Sequence, residues 1–274
     1  MTSLVYVYAV LPQPVATDVK GIDARPVRWV VDDGLAAAVS DVPAEDFDEA
    51  PLNEHVRDMS WLAPRAVAHQ EVNARLHEYG EAIVPLAFGT VFRDDEGIKR
   101  LLRDQRPALG ARLQAVRDCG EWVLSLHLLQ EPDAELVAMA SPALQALRQE
   151  IATSTPGRAH LLQRRLAEVE RQERRRIQSE AGDQVIARLR EIASDVYLEP
   201  LPSDTVERPL VRASLLVSRA AEPRLLEEVE RLQAQWPEPV YRLQLSGPWP
   251  PYRFGGLQPE HGSQVAQSEH AEHA

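Results

Sequence analysis

The chain has 274 residues, 44% of them hydrophobic, and a formal net charge of −12, which is enough apolar content for one large or two ordinary cores. The acidic balance disfavours bulk attraction to nucleic acid or anionic lipid, which are approached through positive fields. Cys119 is the only cysteine, which excludes an intramolecular disulfide and a cysteine-based metal site within one chain, and the cytosol is the simplest compartment.

The amino terminus, Met1-Thr2-Ser3-Leu4-Val5-Tyr6-Val7-Tyr8, has no basic region followed by a long apolar stretch. No later run approaches the roughly eighteen apolar residues of a membrane span, so a soluble, unexported chain is expected. Leu4 to Leu11 is rich in Val and Tyr and stops at Pro12 and Pro14. Val27 to Val31 and Leu35 to Val39 flank the turn signal Asp32-Asp33-Gly34. These predict three strands, the last two a hairpin. Asp41 to Glu54 holds six acids and no basic side chain and contains Pro43 and Pro51 near its ends, which predicts an exposed acidic loop.

Leu52 to Leu62 and Pro64 to Glu81 read as helices, the second with Val72, Leu76, Tyr79 and Ile83 at helical spacing. A strand from Ile83 to Phe92 follows. Asp94 and Asp95 are placed to cap a helix to about Arg117 with Ile98, Leu102, Leu109 and Leu113 on its apolar side. Trp122 to Leu129 is the next strand, and a helical stretch of Ala and Leu ends near Ile151. Ser154-Thr155-Pro156-Gly157 then gives a cap and a proline at the first helical position.

The helix that opens there runs toward Val196, on the order of 60 Å at 1.5 Å per residue. Its middle, Arg171 to Asp183, is nearly all polar, so it either protrudes into solvent or is broken near Gly182. Leu210 to Val217 reads as a strand, Pro223 to Trp236 as an amphipathic helix, and Val240 to Leu245 as a final strand. That strand delivers Ser246-Gly247-Pro248-Trp249-Pro250-Pro251-Tyr252-Arg253-Phe254. Its prolines fix φ near −65° and remove donors, which predicts a stiff extended arm presenting Trp249, Tyr252 and Phe254. The alternation from Trp122 onward suits an α+β layer. From Gln258 the chain is polar and reads as a disordered tail.

Motifs for common chemistry are absent. No phosphate-binding glycine loop, dinucleotide-binding turn or nucleophile elbow occurs. His77-Glu78-Tyr79-Gly80-Glu81 approaches a zinc-protease signature, but Glu81 stands where the second histidine is needed. Cys119 lies beside Gly120 with no catalytic signature, and reads as an inert thiol. His261, His270 and His273 read as parts of a solvated tail.

Tyr6 and Tyr8 share one strand face, as base-stacking aromatics do in RNA-recognition domains, but the matching second motif is missing. Only Lys20 and Lys99 are lysines, so nearly every cation is an arginine. The arginines from Arg164 to Arg176 interleave with Glu168, Glu170 and Glu173, the pattern of a solvated helix with paired charges.

Three segments together resemble the gas vesicle protein F/L family (GvpF/GvpL). They are Pro85-Leu86-Ala87-Phe88-Gly89-Thr90-Val91-Phe92, the Ser154-Thr155-Pro156-Gly157 start of an arginine-rich helix with Leu161, Arg164 and Arg165, and Gly247-Pro248-Trp249-Pro250-Pro251-Tyr252-Arg253-Phe254. The opening Val5-Tyr6-Val7-Tyr8 strand and the Gly34 to Ser40 hairpin are similar as well, so the resemblance reaches to about Leu257. Ala87 and His160 depart from the family pattern of arginine and tyrosine.

The resemblance implies a two-domain α+β protein: an N-terminal domain over 1–118, a modified ferredoxin-like domain with the long helix over 119–257, and the tail over 258–274. It further implies an accessory protein of gas vesicle formation that needs no cofactor or metal, acts without catalysis, and binds the hydrophobic shell protein and other accessory proteins. Two protein-binding surfaces are expected: Trp249, Tyr252 and Phe254 on the arm, and Arg164, Arg165, Arg171 and Arg175 on the helix. The plainer readings are a Trp249 that closes its own core and a solvated scaffold helix. The competing function is an RNA-binding ferredoxin-like protein, or an enzyme without recognisable motifs.

Overall fold

A computed structural model describes residues 2–201, 208–236 and 240–256; the tail expected over 258–274 lies outside them. The chain divides into two compact units. One runs from the amino terminus to Cys119 and resumes at Trp249, and the other is Gly120–Pro248. The expected second domain extended to residue 257. Tyr252 instead hydrogen-bonds Gln70 and Asn73, so the end of the arm groups with the first unit.

In the first unit, strand β1 (Ser3–Leu11) is buried from Leu4 onward, the pattern of a central strand covered on both faces. A hairpin of β2 (Arg28–Asp32) and β3 (Leu35–Pro43) flanks it. The expected turn forms with Asp33 and Gly34 at φ 47° and 76°, the left-handed pair that a two-residue hairpin requires. The acidic segment is folded, unlike the loop expected there. Helix α1 (Ala44–Phe47) buries Phe47, and Asp48 caps α2 (Glu49–His55) by accepting the Glu49 amide at 2.9 Å. An acidic run can close a helix when one aromatic inside it reaches the core.

Helix α3 (Met59–Tyr79) buries His69, Val72, Asn73, Leu76 and His77. The single strand expected next is split into β4 (Val84–Pro85) and β5 (Val91–Phe92), which both pair with β1. Between them Gly89 takes φ 84° and the Thr90 amide bonds Ala87 O at 3.2 Å, so the backbone turns where an extended run was expected. The sheet order is β2-β3-β1-β4, with β5 also on β1.

The expected single helix is also two: α4 (Asp95–Asp104), capped by Asp94 on the Gly97 amide at 2.9 Å, and α5 (Arg106–Ala115), interrupted at Gln105 before Pro107. A proline in this place has no amide to continue the ladder. The core gathers Tyr6, Tyr8, Leu11, Ile22, Phe47, Val72 and Leu76.

The second unit contains β6 (Cys119–Leu128), α6 (Ala134–Ala140), α7 (Pro142–Thr153), α8 (Pro156–Arg190), β7 (Asp195–Leu198), β8 (Arg208–Ser218), α9 (Glu222–Gln235) and β9 (Tyr241–Trp249). The first residue of β6 belongs to the other unit. The sheet order β7-β8-β6-β9 is that of a ferredoxin-like fold, strand-helix-strand-strand-helix-strand, with α6 and α7 added before the first crossover helix.

Helix α8 is unbroken over 35 residues, about 52 Å. Gly182 sits inside it because a Cβ there would lie 2.7 Å from Val211 Cγ2 on β8. The polar middle neither protrudes bare nor breaks: Leu166, Val169 and Ile177 pack on Val137, Ala138 and Leu144 of α6 and α7. The helix stops at Arg190, short of Val196. The Ser194 amide bonds Leu216 O at 2.8 Å, which draws Val196 into β7. The main core joins Trp122, Leu124, Leu126, Val185, Leu189, Leu215, Leu225 and Leu232.

Candidate protein interface

The arm begins inside β9. Gly247 has φ 138°, and a Cβ on it would meet Glu121 O at 2.8 Å and the Trp122 ring at 3.0 Å, so only glycine fits. The bond from Gly247 to Pro248 is cis. Trp249, the last residue of the strand, is 48% exposed, while Pro250 and Pro251 are buried.

The chain then coils instead of continuing as the extended arm expected. The Tyr252 amide bonds Pro250 O at 2.7 Å, the Gly255 amide bonds Pro251 O at 2.7 Å, and the Gly256 amide bonds Tyr252 O at 3.2 Å. Phe254 is half-buried, and Arg112 on α5 donates to Gly256 O.

Tyr252 is pinned. Its hydroxyl accepts from Asn73 Nδ2 at 3.1 Å and donates to Gln70 Oε1 at 2.7 Å. Asn73 Nδ2 also lies 3.0 Å from His69 Nε2, and His69 Nδ1 lies 2.9 Å from the Tyr6 hydroxyl, which accepts the Gly89 amide at 3.1 Å. A polar chain thus runs through the core from β1 across α3 to the arm. Burial holds the His69 ring neutral, lowering its pKa to about 4, and pushes the Tyr6 hydroxyl up so that it keeps its proton.

Asn73 and His69 leave a trace of this network in the sequence, a polar pair one helical turn apart on the apolar side of α3 beside Val72 and Leu76. Tyr6 and Tyr8 are fully buried, so they offer no face for base stacking.

The predicted arginines lie apart from the aromatics in sequence. Arg164, Arg165, Arg171 and Arg175 are all exposed on α8. Arg171 pairs with Glu168, and Arg176 bridges Glu173 at 2.9 Å and Glu180 at 2.6 Å. Arg174 donates to Pro132 O, and Arg148 reaches Glu170 at 3.2 Å. Arg164 and Arg165 take no acidic partner among the described residues.

His77 is buried, with Nε2 2.9 Å from Cys119 O, and Glu78 is engaged by Arg75 at 2.8 Å; the two do not converge on one site. Among the described residues no group of three or more His, Cys, Asp or Glu is placed to hold a metal ion. No helix among them is long and apolar enough to cross a membrane.

The model of a family described as gas vesicle synthesis protein GvpL/GvpF matches residues 4–255. Gas vesicle protein L of Streptomyces sp. (strain CB03234) is 32% identical over 266 residues, covering 94% of each chain. Gas vesicle protein F of the same strain is 30% identical over 213 residues, covering 78% of this chain and 82% of that one. Crystal structures of GvpF share the fold. The Microcystis aeruginosa protein has a TM-score of 0.67 at 17% identity, and the Anabaena sp. PCC7120 protein 0.69 at 16%; each match covers 93% of this chain and 99% of the other.

Proposed function

Because the chain belongs to the gas vesicle GvpL/GvpF family and so has a gas vesicle accessory role, we propose that it works without catalysis, in the cytoplasm, by binding the hydrophobic shell protein and other accessory proteins during vesicle assembly. One observation carries this reading: Trp249 stands 48% exposed at the end of β9, three residues before the pinned Tyr252. A large apolar ring held in place gives contact area at low entropic cost, the property of a binding anchor. Shell subunits expose apolar surface before they assemble, and an anchored exposed aromatic suits such a partner. The arginines on α8 supply a second surface for accessory proteins.

The test is co-production of the chain with the shell protein, followed by affinity capture at low and high salt. Shell protein is expected to be retained in both, because apolar contact is insensitive to screening, and to be lost with Trp249→Ala. Repeated failure of the wild-type chain to retain it would overturn the reading.

A further inference from the structure

Two exposed surfaces of opposite sign remain once internal ion pairs are counted. On α8, Leu161, Arg164, Arg165, Glu168, Gln172 and Arg175 are all exposed and recur at steps of three and four residues, so they share one outward face. Leu166, Val169 and Ile177 occupy the other side and pack on α6 and α7. In the first unit, α1 and α2 carry Glu45, Asp46, Asp48, Glu49 and Glu54 with no cationic partner among the described residues, and the first arginine after them is Arg57.

We infer that the outward face of α8 docks onto the acidic α1–α2 segment of a second copy of this chain. The inference rests on the reading of α8 as a protein-docking surface and names one occupant for it. The basic stretch from residue 161 to 175 spans about 21 Å of continuous helix, and the acidic one runs along two short helices joined at Asp48. The basic stretch starts at an exposed aliphatic side chain, Leu161 at 66% exposure, which supplies an apolar element within a polar contact. The molecule as a whole is strongly acidic, so a localised basic stripe steers a second copy toward that one face.

Because the two surfaces differ, the contact is heterologous. Every bound copy retains an unused face, and association proceeds to short chains or closes into a ring. Pairs of exposed charges are individually weak and screened by salt, so the contact is reversible.

The experiment is sedimentation of the full chain at about 0.05 M and about 0.5 M salt. It includes two triple variants, Arg164→Glu/Arg165→Glu/Arg175→Glu and Glu45→Lys/Glu49→Lys/Glu54→Lys, with circular dichroism to confirm that both fold. Wild type is expected to gain mass with concentration at low salt and to associate roughly ten-fold more weakly at high salt. Each variant alone is expected to remain monomeric, and the mixture of the two to gain mass with concentration, forming mixed assemblies that hold the two variants in equal numbers.

A wild-type chain that stays monomeric at low salt, variants that associate as wild type does, or folded variants that fail to pair would overturn the inference. Capture of shell and accessory proteins is read separately. If self-association fails while that capture persists, the second copy is ruled out and the proposed function stands.

Discussion

Trp249 and Tyr252 lie three residues apart in the same proline-rich segment, and the fold treats them in opposite ways. Tyr252 is held by its hydroxyl to Asn73 and Gln70, whereas Trp249 keeps about half its surface in solvent. The difference teaches that an aromatic cluster need not serve one purpose: one ring anchors the segment, and the anchoring gives the other a fixed position.

The largest expected effect lies under the pinned end. The native His69 ring stays neutral down to about 4, while an unfolded histidine protonates near 6.5. Between those values the unfolded chain binds the extra proton, so stability is complete above about pH 6.5 and falls as pH drops, by up to about 3 kcal/mol near pH 4. Urea unfolding from pH 8 to pH 4 should show this loss in wild type and a correspondingly shallower loss in His69→Gln. Parallel curves for the two proteins would mean that His69 is not the buried neutral group.

Tyr252→Phe comes next. Removing the hydroxyl leaves one N–H of the buried Asn73 amide without its acceptor, at about 1–2 kcal/mol, while the exposed Gln70 turns to water. The urea midpoint should fall accordingly, and amide exchange near Gly255 and Gly256 should accelerate as the end of the arm loosens. A variant as stable as wild type would show that the proline-rich chain holds itself in place without the pin.

The pinned end also marks the limit of what the sequence discloses. Trp249 and Tyr252 stand out as aromatics among prolines, but Tyr252 meets Asn73 and Gln70 across 179 and 182 positions, a pairing with no local signal. Elements governed by local chemistry are legible: the Asp33-Gly34 hairpin, the Asp94 cap, the amphipathic α9, and Pro156 at the start of α8. Elements governed by tertiary contact are not. The acidic run folds because Phe47 finds the core, the strand from Ile83 to Phe92 splits at Gly89, and the polar middle of α8 is covered by α6 and α7. The arginines were visible as an interleaved run. Which of them lack a partner depended on helix packing that spacing alone does not reveal.

The smallest effect on stability, and the most direct test, belongs to the displayed end. Trp249→Ala removes a ring that is only half buried, which costs about 1 kcal/mol. Measured on the same samples, shell-protein binding and the urea midpoint should separate: affinity falls about ten-fold or more, as for loss of an anchoring aromatic, while the midpoint falls by no more than about 1 kcal/mol of stability accounts for. Unchanged binding, or a collapse of stability together with binding, would contradict the account and make Trp249 a part of its own core.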